Sequence, residues 1–198
     1  RTVSGSLHII SVDGEKIMLD VGSFYGDDES HVEEFPAELL KDISAIVISH
    51  AHLDHIGRLL DVVNIGYRGH IYCTEPTKEM MPIMLRMSAK YGNYGKEEFY
   101  FSNASYDSNK KKNKNTAVHI YKECQYGNNI KPSNLKTMTS TRTNLEEQGL
   151  YMCGECANLH VKKVMNFVKV LPLYKGVDIT SNISVELFNT PHLPGSVM

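Results

Sequence analysis

The tightest constraint on this chain is the run His50-Ala51-His52-Leu53-Asp54-His55, which follows directly on the apolar stretch 43–49. Three imidazoles and one carboxylate within six residues make a dense set of metal-competent groups. Imidazole nitrogen and carboxylate oxygen together suit Zn²⁺, and less often Mn²⁺ or Fe. His50 and His52 lie two residues apart, so on an extended segment they share a face and can hold one ion together. Asp54 and His55 come after the chain has turned toward a helix, and they address a neighbouring position. The spacing therefore feeds two adjacent cations, and two metals ~3.5–4 Å apart can clamp both oxygens of a displacement reaction. A structural zinc site draws more on cysteine and closes all four positions. Surface histidines at a strand-to-helix turn are the plainer alternative; the density of ligand-type residues weighs against them.

The surrounding pattern gives the cluster a fold. Val3 to Val12 reads as a strand, Asp13-Gly14 as a hairpin turn, and Lys16 to Val21 as the return strand, which leaves Asp20 at its end. Pro36 to Lys41 reads as a short helix with Pro in its first turn. Ile43 to Ile48 is a buried strand that delivers the histidines, and Ile56 to Ile65 is a helix closed by Gly66. Gly69 to Thr74 gives the next strand. Pro76 opens a helix whose Met80, Ile83, Met84 and Met87 are expected to pack on the sheet, with a kink at Pro82. This order points to an α/β layered architecture. From Gly92 to Ala157 the chain turns to Asn, Ser, Lys, Gly and Tyr and the periodicity fades. That span is expected to be a flexible insertion, with Asn109 to Asn115 its most mobile part. Asn158 to Val168 recovers helical spacing, and Val170 to Tyr174, Val177 to Thr180 and Ile183 to Phe188 read as strands. The last of these leads into Thr190-Pro191-His192-Leu193-Pro194-Gly195-Ser196.

Composition narrows the partners. Lys and Arg number 21 against 23 Asp and Glu, a net charge of −2, so a nucleic acid would have to be held by a local basic patch. No stretch reaches the ~18–20 apolar residues that span a bilayer, and no basic-then-apolar leader opens the sequence. Four cysteines in 198 residues do not make a disulfide scaffold, and a reducing cytoplasm is the expected compartment.

At the His-x-His-x-Asp-His motif, here His50, His52, Asp54 and His55, the chain resembles the metallo-β-lactamase fold superfamily. It looks most like its RNA-processing branch, the β-CASP ribonucleases and cleavage-factor-like proteins. Val3-Ser4-Gly5-Ser6 is similar to the signature of that branch's first strand, and Met18-Leu19-Asp20-Val21-Gly22 to its aspartate motif. Gly57-Arg58-Leu59 and the segment Gly66 to Thr77 resemble its linking segment. His192-Leu193-Pro194-Gly195-Ser196 resembles the third motif.

The resemblance implies an αββα sandwich, of which this chain holds the N-terminal half-repeat and the start of the second. Residues 1–91 would begin the domain, 92–157 would be the insertion, and 158–198 would continue it. It implies that His50, His52 and His192 bind one Zn²⁺ and that Asp54 and His55 bind a second, with Mn²⁺ or Fe as alternatives. Asp20 would orient a histidine from behind, and Asp54 would also hold the nucleophilic water. The family further supplies a bridging aspartate, another histidine and a β-CASP domain, all of which would follow Met198. The chain is thus expected to be a piece of a longer protein, inactive alone, or else a short natural product.

RNA is the implied partner of the full-length protein; no membrane partner is expected, and a homo-oligomer stays open. The implied function is a zinc-dependent, RNA-processing hydrolase of phosphodiester bonds. The alternatives are a hydrolase of small thioesters, lactones or lactams, and a non-catalytic RNA-binding or scaffold subunit. Two weaker signals lie in the insertion. Cys124, Cys153, Cys156 and His160 have the ligand types of a second zinc site, against ordinary loop thiols. Lys110 to Lys114, near Tyr91, Tyr94, Phe99, Tyr100 and Phe101, could meet RNA by charge and stacking, against a solvated loop.

Overall fold

In the computed structural model the described residues are 4–24, 35–91, 97–102, 116–118, 135–140, 150–152 and 154–198. The chain divides into two compact units, residues 1–85 with 163–198, and residues 86–162. The first is a mixed α/β unit built on a five-stranded sheet, as the alternation of strand and helix signals leads one to expect. Its strands are β1 (His8–Val12), β2 (Glu15–Leu19), β3 (Ile43–Val47), β4 (His70–Cys73) and β9 (Val168–Val170), in that spatial order. β1 and β2 are antiparallel and joined at Asp13-Gly14, where φ is 48° and 86°, the two-residue hairpin geometry that follows the natural strand twist. β2, β3, β4 and β9 are parallel neighbours.

Alternation along the inner strands splits the apolar residues between two faces. Ile17, Ala45 and Val47 point to one, where they join Leu171, Ile183, Leu187 and Val197 in a buried cluster. Met18, Ile46, Ile71 and Cys73 point to the other and are fully buried. A parallel sheet covered on both faces needs such continuous apolar strands. Beyond the cluster, Ile10, Val12, Leu19, Val185 and Met198 line an open groove of about 680 Å³. The segment after β9 is tied back by β10 (Val177–Asp178) against β11 (Ser184–Val185) and by bridges Leu173–Leu187 and Asn189–Val197. Its turn is anchored on Glu15, whose carboxylate accepts hydrogen bonds from the hydroxyls of Thr180 and Ser181 and from the Asn182 N–H.

Several elements differ from the sequence reading. The helix expected over 56–65 is two pieces, α1 (Leu53–Ile56) and α2 (Leu59–Asn64), broken at Gly57-Arg58 because the Arg58 N–H donates to Val21 O. The expected strand from Val3 begins only at His8, and residues 37–40 form a 3-10 turn. The helix α3 (Glu75–Tyr91) runs through Pro82 and buries a different face. Thr77, Met81, Leu85, Ser88 and Ala89 are inside, while Ile83 and Met87 are 58% and 51% exposed. The buried stripe keeps helical spacing, but two of its members are hydroxyl residues, so hydrophobicity alone picked the neighbouring stripe. Met81 confirms the orientation, its Sδ lying 4.0 Å from Cys73 Sγ on β4.

In the second unit β5 (Glu97–Ser102) pairs antiparallel with β7 (Leu135–Ser140), and β6 (Thr116–Val118) pairs parallel with β8 (Leu150–Met152). The helix α4 (Gly154–Met165) follows. These strands fall where the sequence showed no clear period. The loop Asp27–Ser30, the Lys110–Lys114 run, Cys124 and Cys153 lie outside the described residues.

The face assignment of α3 is testable by truncation. Leu85→Ala, which empties a fully buried site, should lower the unfolding free energy in urea by about 2–5 kcal/mol. Ile83→Ala should stay within about 0.5 kcal/mol of the parent. Equal losses would contradict the orientation.

Candidate metal centre

The site forms where three loop segments are knitted together by main-chain hydrogen bonds. Ser6 N–H donates to Asp54 O at 2.8 Å, Val21 N–H to His55 O at 2.6 Å, and Ser23 N–H to Leu53 O at 2.8 Å. Gly22 makes this approach feasible, since a Cβ there would stand 1.6 Å from Asp54 O. The extended backbone of His52 (φ −66°, ψ 147°) ends the strand direction, and α1 then carries Asp54 and His55 on its first turn. The chain thus turns between the pairs 50/52 and 54/55.

Asp20 stands behind the cluster, buried and at φ 57°, in the left-handed region that aspartate enters more readily than most residues. Its Oδ1 accepts the Ser49 N–H at 2.8 Å. Its Oδ2 accepts from His55 Nδ1 at 2.7 Å, Ser49 Oγ at 2.9 Å and Ser6 Oγ at 3.3 Å. Ser49 Oγ also lies 3.0 Å from His50 Nδ1. One proton assignment satisfies the chain: His55 Nδ1–H and the Ser49 hydroxyl donate to Asp20, and His50 Nδ1–H donates to Ser49. Both rings are then left with a lone pair on Nε2.

The His50 nitrogen meets those of His52 and His192. His50 Nε2 and His192 Nε2 each lie 3.1 Å from His52 Nδ1, and the ligand nitrogens of the three residues fall within 4.8 Å of one another. Two imidazoles bound tetrahedrally to an ion at ~2.0–2.1 Å would hold their nitrogens about 3.3 Å apart. Two of the three separations are close to that value, so the triad could hold a cation that takes nitrogen ligands. His192 reaches the others from a distant loop, because the Val197 N–H donates to Ser49 O at 3.0 Å. Next to the triad, His55 Nε2 faces Asp54 Oδ2 at 3.6 Å, a second nitrogen–oxygen pair. The rings of His50 and His55 are 3.9 Å apart at their centroids.

Burial and the neighbouring imidazoles His55, His52 and His192 push His50 down to about 4, so it is neutral and able to ligate at pH 7. The hydrogen bond to Asp20 pushes His55 up, above its usual value.

The structure thus brings together His50, His52 and His192, sets Asp54 and His55 beside them, and puts Asp20 behind. Of the proposed cysteine site, Cys156 and His160 are buried one turn apart on α4. Sequence reasoning gave no role to Ser49, whose hydroxyl joins Asp20 to His50; its only signal was a polar residue at the end of a mostly apolar strand.

A family model described as the metallo-beta-lactamase superfamily domain matches residues 9–138. The chain belongs to the metallo-beta-lactamase superfamily. Its relatives include a protein named as a ribonuclease, in keeping with the branch that the motifs resemble. Over 90 residues it is 38% identical to Ribonuclease TTHA0252 of Thermus thermophilus, covering 46% of this chain and 21% of that protein. Over 134 residues it is 33% identical to Integrator complex subunit 11 of Gallus gallus, covering 63% of this chain and 22% of that protein. Over 86 residues it is 41% identical to the transcription termination factor FttA of Cenarchaeum symbiosum, covering 41% and 13%. The chain thus spans between 13% and 22% of the length of these three superfamily members.

The titration of His50 makes a prediction for the metal-free protein. A folded pKa of about 4 lies below the ordinary value of 6.5, so the unfolded chain binds the extra proton between those two pH values. Stability is full above pH 6.5 and falls as the pH drops toward 4. His55, raised above 6.5, is protonated in both states across that window and acts only on its alkaline side. The unfolding free energy of chelator-treated protein should fall by up to about 1.4 kcal/mol per pH unit in this window from His50. His50→Asn should flatten that slope; an unchanged slope would assign it to other groups.

Proposed function

We propose that this chain carries the metal centre of a zinc-dependent, RNA-processing hydrolase of phosphodiester bonds. The observation that carries the reading is the pairing of two adjacent donor sets, the His50, His52 and His192 nitrogens and the His55–Asp54 pair. Superfamily membership supports a metallo-hydrolase, and the names of the relatives support RNA as the substrate class. Among the described residues no helix is long and apolar enough to cross a membrane. The compact unit 86–162 supports reading 92–157 as an insertion into the hydrolase domain.

His50, His52 and His192 would hold one zinc ion, and Asp54 and His55 would contribute to a second. Bound zinc supplies Lewis-acid stabilisation of the phosphoryl oxygens and lowers the pKa of water at the site. The protein's own groups supply orientation. Asp20 fixes the Nδ1–H tautomer of His55, so its Nε2 lone pair faces the Asp54 side. Ser49 passes the same constraint to His50. The Asp54 carboxylate, partly exposed, can accept a hydrogen bond from the attacking water and take its proton. In the overall reaction the water oxygen bonds to phosphorus, the phosphorus–ester oxygen bond breaks, and the leaving alkoxide takes up a proton.

Labelled single-stranded RNA is the direct probe, presented to the natural protein that contains this chain. Cleavage should depend on zinc, stop on chelation, and fall by at least about 10²-fold in Asp54→Ala. Hydrolysis of thioesters, lactones or lactams with RNA left intact would sink the phosphodiester reading.

A further inference from the structure

The loop that carries His192 is braced within itself. Thr190 N–H donates to Ser196 O at 2.9 Å, Leu193 N–H to Ser196 Oγ at 2.9 Å, and Ser196 N–H to Leu193 O at 2.9 Å. These bonds fix its shape but not its position relative to His50 and His52. Position requires contacts to the sheet and helices. One is the Val197 N–H to Ser49 O bond at 3.0 Å. The other is at Gly195, whose carbonyl accepts the hydroxyls of both Thr74 at 2.7 Å and Thr77 at 3.1 Å. The two threonines are 2% and 1% exposed. The hydroxyls are shielded from water while the Gly195 carbonyl is half-buried, and losing a donor leaves that carbonyl with one fewer protein partner.

We infer that Thr74 and Thr77 are positioning residues that clamp the Gly195 carbonyl and thereby set the His192 imidazole against His52. The pair is not interchangeable. Thr74 stands immediately before α3 and its Oγ also receives the Thr77 N–H at 3.4 Å, so it caps the helix while it donates to Gly195. Thr77 contributes no such cap; its hydroxyl donates to Gly195 and lies 3.0 Å from Thr74 Oγ1, which ties the two threonines together. The buried stripe of α3 begins at Thr77, so one contact fixes the rotation of that helix and the place of the loop. The inference rests on the reading of His192 as a metal ligand, since only then does its placement govern binding.

Thr77→Val removes the hydroxyl at nearly constant volume and keeps the Thr77 N–H that Thr74 Oγ1 caps; Thr77→Ser returns the hydroxyl. In the whole chain, zinc affinity measured by chelator competition should fall about 10–100-fold in Thr77→Val and recover in Thr77→Ser. In metal-free protein, the NMR cross-relaxation between the His52 and His192 ring protons should weaken in the valine variant and return with serine. Unchanged affinity in Thr77→Val would overturn the clamp. So would a lost affinity with the ring contact kept, or one that serine does not restore, because either outcome describes general packing. If the parent chain binds no zinc, the metal reading fails by itself, and the ring contact alone then decides the clamp. Should the valine variant not fold, Thr77→Ala, which leaves room at the carbonyl, takes its place in both measurements.

Discussion

The carboxylate of Asp20 accepts a main-chain N–H, two serine hydroxyls and an imidazole N–H, and the rest of the site depends on that convergence. A buried carboxylate is costly to leave underpaired, and four donors supply what water would otherwise give. The same bonds reach Asp20 at a positive φ and tie it to three segments, those of Ser6, Ser49 and His55. The histidine rings inherit fixed tautomers from this arrangement, and fixed tautomers raise the affinity of a histidine metal site.

The sheet explains why these groups meet. β2 and β3 are parallel neighbours, so Asp20 and Ser49 emerge together at their C-terminal ends, the end where α/β folds commonly place their sites. Gly22 then lets the β2 segment pass against the turn that bears Asp54. His192 arrives last along the chain and is held by contacts to Ser49, Thr74 and Thr77, residues that belong to the ends of β3 and β4 and the start of α3. Two ligands of the first donor set, His50 and His52, are therefore local in sequence, and the third, His192, is a product of tertiary packing.

That division matches what was legible beforehand. The hairpin at Asp13-Gly14, the strand before His50 and the α/β order all had local signals, namely turn chemistry, apolar runs and alternation. His50, His52, Asp54 and His55 are conspicuous because ligand types crowd together, and Asp20 and His192 entered through motif resemblance. The hydroxyls of Ser49, Thr74 and Thr77 carried no signal of their own. A buried serine and a solvated one look alike until the partner is known, and here the partners of the threonines lie more than a hundred residues away. The inner face of α3 was misread for the same reason, since Thr77 and Ser88 lie in its buried stripe while Ile83 and Met87 face solvent. Strands β5 to β8 escaped notice because they lack apolar alternation.

The central claim is that His50, His52 and His192 form one nitrogen-ligated cation site. X-ray absorption at the zinc edge, on protein loaded with one equivalent of zinc, tests it most directly. The account predicts a first shell dominated by imidazole nitrogen at ~2.0–2.1 Å, reduced in His192→Ala. A shell dominated by sulfur at ~2.3 Å would place the zinc on the cysteines and contradict the assignment.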